Sequence, residues 1–224
     1  MKKLAIMGGV GAASTIAYAV IDAERYDSSE YRFCGFINDK DGKDSIQGYE
    51  VLGGLKDVPR LLDEEYYIIN TIYKIDGQQF RVHLFNELHI PEHMLATFVH
   101  PKAFVAPNVQ LSPGCVIMPN ATVSSGVRFG GNCRVMSGAM VGHDNTIGDH
   151  SFFAANATIG SHLDIGEAAY IGLNATLGGA LNVGRYAVVG MGSVVTKHVE
   201  EYAIVAGNPA RHMRYVNDKP TEVE

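Results

Sequence analysis

The sequence predicts a two-part chain in which a small α/β unit is followed by a three-sided parallel β-helix. The first observation is a six-residue repeat that runs without a slip from Val105 to Val195. A six-residue period fits neither an α-helix, at 3.6 residues per turn, nor a free strand, at 2. The second observation is that strand-like and helix-like segments alternate in residues 1–99. Such alternation is typical of a small parallel sheet with packed helices.

The N-terminal unit begins with a strand, a glycine loop and a helix. The sequence predicts strands at 3–7, 32–37 and 66–72, helices at 15–24, 55–63 and 78–89, and a tight loop at 8–14. The basic start could pass for a signal peptide, but glycines break the apolar stretch, so we expect a strand. The loop offers backbone N–H groups at a helix N-terminus, which suits phosphate. Alternatively it only lets the helix meet the strand, since Ser14 replaces the third glycine of the dinucleotide-binding signature.

Each hexad of the repeat carries one large apolar residue that we expect to point inward. These residues are Val105, Leu111, Ile117, Val123, Phe129, Val135, Val141, Ile147, Phe153, Ile159, Ile165, Ile171, Leu177, Val183, Val189 and Val195. Three hexads close one triangular coil, so residues 18 apart stack about 4.8 Å apart along the axis. A small residue usually lies two positions earlier, where the coil is too narrow for a large side chain.

The 18-residue period also predicts which residues stack at corners. One column consists of Asn120, Gly138, Asn156, Asn174 and Gly192. Because Asn and Gly tolerate left-handed backbone conformations, we expect this column to be a corner. Cys115 and Cys133 are also 18 apart. We expect two stacked inward thiols rather than a disulfide, although the spacing would allow the bond.

Composition excludes several classes of protein. Of 224 residues, 46% are hydrophobic and 19% charged, which excludes disorder as a description of the whole chain. The formal charge of −6 argues against a nucleic-acid or anionic-membrane partner. No apolar run reaches the roughly 18 residues of a membrane helix. Three cysteines do not make a disulfide framework, so we expect a reducing, cytoplasmic location.

Residues 103–213 resemble the left-handed parallel β-helix of the hexapeptide-repeat acyltransferases. The segment Gly207-Asn208-Pro209-Ala210-Arg211 is similar to the one that closes the helix in many of these acetyltransferases. The whole chain is similar to the sialic-acid O-acetyltransferase-like family of sugar acyltransferases, which includes nucleotide-sugar N-acetyltransferases of bacterial glycan synthesis. This resemblance implies an α/β, Rossmann-like nucleotide-sugar-binding domain at 1–99, a left-handed β-helix at 100–213 and a tail at 214–224. It also implies a homotrimer with the acyl-CoA slot between subunits.

The N-terminal domain of that family holds the nucleotide of the sugar donor. Its glycine loop is matched here by Gly8 and Gly11, whereas Val10 and Ala12 replace the polar pair of the loop. Asn38-Asp39 matches in part an acidic pair that follows the second strand. The resemblance therefore implies that Gly8, Gly11, Asn38 and Asp39 contact a nucleotide sugar.

The segment 139–149 is similar to the catalytic coil of the family, in which a His followed by an acidic residue opens a hexad. The resemblance implies that His143 is the general base and that Asp144 holds its ring. Imidazole suits this task because its pKa near 6.5 leaves it mostly a free base at neutral pH. The alternative is that His143 is a solvent-facing corner residue without a catalytic role.

The resemblance also implies acetyl-CoA as co-substrate and no required metal. Ser161, 18 residues after His143, would give its backbone N–H to the acyl oxygen. Further acetyl-CoA contacts map to Phe152, Leu173, Met191 and Lys197, and Arg211 and Arg214 are also candidates for the CoA phosphates. Relatives often have His at the position of Phe152 and Asn at that of Met136.

Zinc is the other chemistry that histidines could support. His143, His150 and His162 are the candidate ligands. His150 lies 7 residues after His143 and 12 before His162, and neither spacing is a multiple of the 18-residue coil. The sequence therefore does not place the three histidines in one site, and we predict no metal.

The sequence thus predicts an acetyl-CoA-dependent N-acetyltransferase acting on a nucleotide-linked amino sugar by direct attack. No Cys or Ser is paired with a base in the catalytic segment, so no acyl-enzyme is expected. A sugar O-acetyltransferase of the sialic-acid type uses the same base and remains an alternative. A non-catalytic trimeric binding or scaffold protein is the third reading, favoured by Val10, Ala12, Phe152 and Met136.

Overall fold

The computed structural model describes residues 1–26, 29–39, 44–72 and 75–217. The N-terminal unit contains strands β1 (Lys2–Met7), β2 (Tyr31–Ile37), β3 (Ser45–Ile46), β4 (Tyr49–Gly53) and β5 (Tyr66–Asn70), and helices α1 (Ala12–Glu24), α2 (Val58–Asp63) and α3 (Gln78–Glu87). Short 3-10 helices lie at Leu55–Asp57 and Glu92–Met94. The strand order is β3-β4-β2-β1-β5. All neighbours pair in parallel except β3, which pairs antiparallel with β4.

The N-terminal unit departs from the sequence prediction in two places. Helix α1 begins at Ala12, inside the predicted loop, because the chain turns at Gly11, whose φ of 109° is one that few other residues adopt. The hairpin of β3 and β4 was not predicted. Its turn is made by Gln47 and Gly48, both with positive φ, and Gln is not a residue that signals such a turn.

The C-terminal part is a stack of sixteen two-residue strands, β7 to β22, that repeats every six residues. They are Phe104–Val105, Gln110–Leu111, Val116–Ile117, Thr122–Val123, Arg128–Phe129, Arg134–Val135, Met140–Val141, Thr146–Ile147, Phe152–Phe153, Thr158–Ile159, Asp164–Ile165, Tyr170–Ile171, Thr176–Leu177, Asn182–Val183, Val188–Val189 and Val194–Val195. Each pairs in parallel with the strand 18 residues away, as Met140 with Thr158. This arrangement fits the parallel β-helix that the repeat predicts and the left-handed coil that the family resemblance implies.

The stacked strands form three faces. Face 1 contains β9, β12, β15, β18 and β21, face 2 contains β7, β10, β13, β16, β19 and β22, and face 3 contains β8, β11, β14, β17 and β20. Strand β6 (Phe98–Val99) extends face 1 at its start, and β23 (Ala203–Gly207) and β24 (Ala210–Tyr215) extend it at its end. The predicted tail therefore begins within a strand, and its residues 218–224 lie outside the described part of the chain.

The predicted inward series forms the core of the β-helix. Val105 and Leu111, in the first coil, are partly buried, and the remaining members are buried. Cys115 and Cys133 are buried free thiols, as expected. Their Sγ atoms donate to the carbonyls of Gly130 (3.1 Å) and Gly148 (3.2 Å), so each polar hydrogen is satisfied in the core.

At all three corners of the coil, residues adopt the left-handed backbone conformation, with positive φ. The predicted column from Asn120 to Gly192, between faces 1 and 2, has φ values of 54–74°, which confirms the corner. The other two corners follow the same rule with less typical residues. Between faces 2 and 3 they are Gly126, Asp144, His162 and Ala180, and between faces 3 and 1 they are Gly114, Asn132, His150, Ala168 and Tyr186.

Helix α3 fastens the N-terminal unit to the corner between faces 3 and 1. Arg81, 6% exposed, donates from Nη2 to the carbonyls of His150 (3.0 Å) and Ala168 (3.4 Å). Gln78 donates to the carbonyl of Tyr186 at 3.2 Å, one coil further along. Val116, which points outward from face 1, belongs to the apolar core of the N-terminal unit. Face 1 is thus covered, whereas the described residues of this unit do not cover faces 2 and 3.

Candidate active site

His143 and Asp144 lie at the corner between faces 2 and 3, directly after strand β13 (Met140–Val141). Nδ1 of His143 and Oδ2 of Asp144 are 2.8 Å apart, and both side chains are about half exposed, at 51% and 52%. The hydrogen bond from His143 lowers the pKa of Asp144, and the positive charges that His143, His162 and Arg128 can carry act in the same direction. When Nδ1 donates its proton to a carboxylate, the lone pair is on Nε2, and this is the tautomer that a general base requires.

Asn145 holds this corner in place, and sequence reasoning missed it. The side chain is fully buried. Its Nδ2 donates to the carbonyls of Gly142 and Gly160, both at 2.9 Å, and its Oδ1 accepts from the N–H of Leu163 at 2.7 Å. The signal was available, because Asn145 interrupts a stacked column that is otherwise aliphatic. That column is Val109, Val127, Leu163, Leu181 and Val199.

The next coil brings Ser161 and His162 beside the pair. The N–H of His162 donates to the carbonyl of His143 at 3.1 Å. The two imidazole rings meet edge to face, with centroids 4.9 Å apart and planes at 89°. The sequence spacing failed to find this contact because the stacked partner of His162 is Asp144, not His143. His150, the third zinc candidate, lies at a different corner, buried against Phe85 of α3.

The predicted acetyl-CoA residues divide between two corners and one face. Lys197 follows His143 and Ser161 in the same stacked column. Leu173 and Met191 lie at the corner between faces 1 and 2 and are 44% and 76% exposed. Phe152 is buried on face 1, with its ring stacked on Tyr170 at 5.3 Å, so the structure does not bring it to His143 in one chain.

The two predicted arginines occupy different surroundings. Arg211 lines a cavity of about 420 Å³ at the end of the β-helix together with Lys197. His198, His212 and Tyr215 also line this cavity. Arg214 instead pairs with Asp76, at 2.7 Å between Nη2 and Oδ2.

A cavity of about 500 Å³ opens at the carboxyl ends of β1, β2 and β5. Gly8, Asn38 and Asp39, which the resemblance assigns to the nucleotide sugar, line it, whereas Gly11 stands at the start of α1 rather than in the lining. Sequence reasoning missed five lining residues. Phe80, Arg81 and Leu84 reach the cavity through the packing of α3, whereas Leu55 and Thr71 follow β4 and β5 and line it through the sheet order.

Two contacts shape the floor of this cavity. Gly8 has a φ of 141°, and a Cβ there would lie 2.1 Å from Oγ1 of Thr71, so only glycine fits. The Thr71 hydroxyl donates to the carbonyl of Met7 at 2.6 Å. Oδ1 of Asp39 accepts from the N–H of Leu55 at 2.9 Å, which ties the two sides of the cavity rim together.

The cavity and the His143 corner lie on different edges of the β-helix. The cavity includes Arg81, which contacts the corner between faces 3 and 1, and His143 lies at the corner between faces 2 and 3.

Among the described residues, every helix is too short or too polar to span a lipid bilayer.

Comparisons with known proteins give the fold and leave the activity open. No protein-family model matches the sequence, and no curated protein matches it at a significant level. Solved structures do match. The acetyltransferase domain of PglB from Neisseria gonorrhoeae, in complex with acetyl coenzyme A, is 24% identical with a TM-score of 0.80, and the match covers 95% of this chain and 99% of that one.

Two further solved structures share the whole architecture. WeeI from Acinetobacter baumannii is 26% identical with a TM-score of 0.77, over 94% of this chain and 100% of that one. A mutant of perosamine N-acetyltransferase from Caulobacter crescentus, in complex with CoA and GDP-perosamine, is 22% identical with a TM-score of 0.72, over 96% and 98%. These matches extend over both the N-terminal unit and the β-helix.

Proposed function

We propose that this protein transfers an acetyl group from acetyl-CoA to the amine of a nucleotide-linked amino sugar. The observation that carries the proposal is the half-exposed His143 ring, held by Asp144 at 2.8 Å on the corner of a β-helix. Two matching structures support the choice of co-substrate and acceptor, since one holds acetyl coenzyme A and the other holds CoA with GDP-perosamine.

The reaction follows from the geometry of the corner. Oδ2 of Asp144 accepts a hydrogen bond from the Nδ1–H of His143, so Nε2 keeps the lone pair that removes a proton from the attacking amine. The amine nitrogen bonds to the thioester carbonyl carbon, and the carbonyl oxygen becomes negative. The backbone N–H of Ser161 is the proposed donor to that oxygen. The C–S bond then breaks, and the CoA thiolate takes the proton back from His143.

The cavity of the N-terminal unit is the proposed nucleotide-sugar site. Gly8, Asn38 and Asp39 would contact the ligand inside it, and Gly11 would contact the ligand from the start of α1, outside the lining. Helix α1 begins at its edge, and the first backbone N–H groups of a helix have no partner within the helix. No acidic residue lies in the first turn of α1, so nothing there repels a diphosphate. The volume of about 500 Å³ is in the range of small-ligand pockets.

Face 2 is the proposed contact surface of a homotrimer. The outward residues of its strands carry no charge: Phe104, Thr122, Met140, Thr158, Thr176 and Val194. Phe104 and Met140 are 60% and 42% exposed in the single chain. The His143 corner borders face 2 on one side, and the Leu173 and Met191 corner borders it on the other. Three-fold packing on face 2 therefore puts both corners into one groove between subunits, which is where acetyl-CoA would lie.

A substrate panel tests the proposal directly. The full chain is incubated with acetyl-CoA and nucleotide-linked sugars that carry either an amine or a hydroxyl at the acceptor carbon, and CoA release is measured. We expect release only with an amino sugar. Release with the hydroxyl sugars instead would make the protein an O-acetyltransferase. Failure to bind acetyl-CoA at millimolar concentration would favour a non-catalytic scaffold.

A further inference from the structure

The described residues contain one set of three side chains whose metal-ligating atoms converge. His143, Asp144 and His162 each offer one such atom, and these atoms all lie within 4.8 Å of one another. The spacing i, i+1, i+19 is produced by the coil, since Asp144 and His162 are stacked at one corner and His143 precedes Asp144. The coil therefore brings the three residues to one corner.

The backbone around the three ligands is fixed, while the side chains can adjust. Asp144 and His162 have left-handed φ values of 55° and 61°, and a rung hydrogen bond joins His162 to His143. The buried amide of Asn145 ties the same two coils together. Ligand atoms on a tetrahedral zinc ion lie about 3.4 Å apart, given metal–ligand distances of about 2.0–2.2 Å. Exposed side chains can close that difference by rotating about their χ angles.

The donor set selects the kind of ion. Two imidazoles and one carboxylate suit Zn²⁺ and other late first-row ions, whereas Mg²⁺ and Ca²⁺ prefer oxygen ligands alone. Three protein ligands leave a fourth coordination position, which water or a chelator can occupy.

We propose that His143, Asp144 and His162 form a Zn²⁺ site whose occupation switches off the base. If zinc binds Nε2 of His143, it uses the lone pair that accepts the substrate proton. If zinc binds Nδ1, the ring proton moves to Nε2 and the lone pair is lost as well. The inhibitory consequence rests on the proposed function, whereas the binding of zinc does not. Bound zinc would therefore act as an inhibitor. The spacing of the histidines in the sequence did not predict this site.

Calorimetric titration of the metal-free full chain with Zn²⁺ tests the binding. We expect one Zn²⁺ per chain, with affinity at least about tenfold weaker in His162→Asn. His83→Asn is the matched control, because His83 also pairs with a carboxylate, Glu87 at 3.2 Å, but on an exposed helix face with only two ligands. That variant should change the affinity less than about twofold. Equal affinity in His162→Asn and the wild type, or no zinc uptake by the wild type, would overturn the site.

An activity measurement tests the inhibition separately. Acetyl transfer should fall in proportion to zinc occupancy and return when EDTA is added, and Mg²⁺ at the same concentration should have no effect. Unchanged turnover at full zinc occupancy overturns the inhibitory part. Absence of transfer in zinc-free buffer contradicts the proposed function, and the calorimetric result then decides the zinc site alone.

Discussion

At the scale of single residues, the environment of each histidine decides its chemistry. His143 is half exposed beside a carboxylate, whereas His150 is only 8% exposed and lies under Phe85. The pKa of His150 is lowered to about 4, chiefly by burial, with the charges of Arg81 and Arg134 acting in the same direction and that of Asp149 opposing them. His150 therefore stays neutral in the folded protein at pH values where an unfolded histidine is protonated.

This difference makes stability depend on pH. Below the ordinary pKa near 6.5 the unfolded chain binds the proton first, so stability is fully present above that pH and is lost as pH falls towards 4. Between pH 7.5 and pH 5 the wild type should lose about 2 kcal/mol more than His150→Asn, which keeps a residue tolerant of the left-handed corner. Urea unfolding at both pH values measures it, and parallel curves for the two proteins would contradict the assignment.

The sequence predicted His143 and Asp144 as a pair but not the residues that complete their surroundings. The pair was found because two adjacent residues make a motif without any knowledge of the fold. His162 needed the register of the corner to be known to one residue, since its stacking partner is Asp144. Thr71 and Arg81 were missed for another reason: they reach the cavity through tertiary packing, and no local pattern records that.

At the scale of elements, the corners of the β-helix carry a conformational cost that depends on residue type. Asn and Gly occupy the corner that the sequence predicted, and this is why the column was recognisable. The other two corners include Ala168, Ala180 and Tyr186, each with φ of 54–58°. The six-residue core repeat, not the corner residue, fixes the coil there. The residue types at these corners therefore did not predict a left-handed backbone.

A pair of alanine-to-glycine substitutions separates this cost from other effects. Ala180 is exposed with φ of 54°, and Ala155 is an alanine outside the positive-φ set. Ala180→Gly should raise the free energy of unfolding by about 0.5–1 kcal/mol, because glycine relieves the left-handed strain. Ala155→Gly should lower it by a similar amount, about 0.5–1 kcal/mol. Urea unfolding at one protein concentration measures both, and changes of the same sign would refute the explanation.

At the scale of the whole molecule, the three faces of the β-helix have different partners. Face 1 packs on the N-terminal unit, while face 3 presents exposed polar and charged side chains: Gln110, Arg128, Thr146, Asp164 and Asn182. The outward strand residues of face 2 are uncharged, and no part of the N-terminal unit that the structure describes covers them. The repeat predicted the three faces, but which face meets the N-terminal unit followed only from the packing of β6 and α3.

Two matched substitutions test the role of face 2. Thr158 and Thr146 are the outward residues of equivalent strands on faces 2 and 3. Thr158→Glu should place a charge in the proposed interface and dissociate the trimer, because burying an unpaired carboxylate is costly. Thr146→Glu should leave it intact. Light scattering should give about three times 24.2 kDa for the wild type and Thr146→Glu, and a monomeric wild type would rule out the assembly.

The catalytic role of His143 is the central claim, and one variant tests it most directly. His143→Ala is assayed with acetyl-CoA and the best amino-sugar acceptor, alongside its thermal unfolding temperature. The account predicts an unchanged unfolding temperature, since the side chain is half exposed, and turnover lower by at least about 100-fold. Turnover near that of the wild type in a folded His143→Ala protein would contradict it.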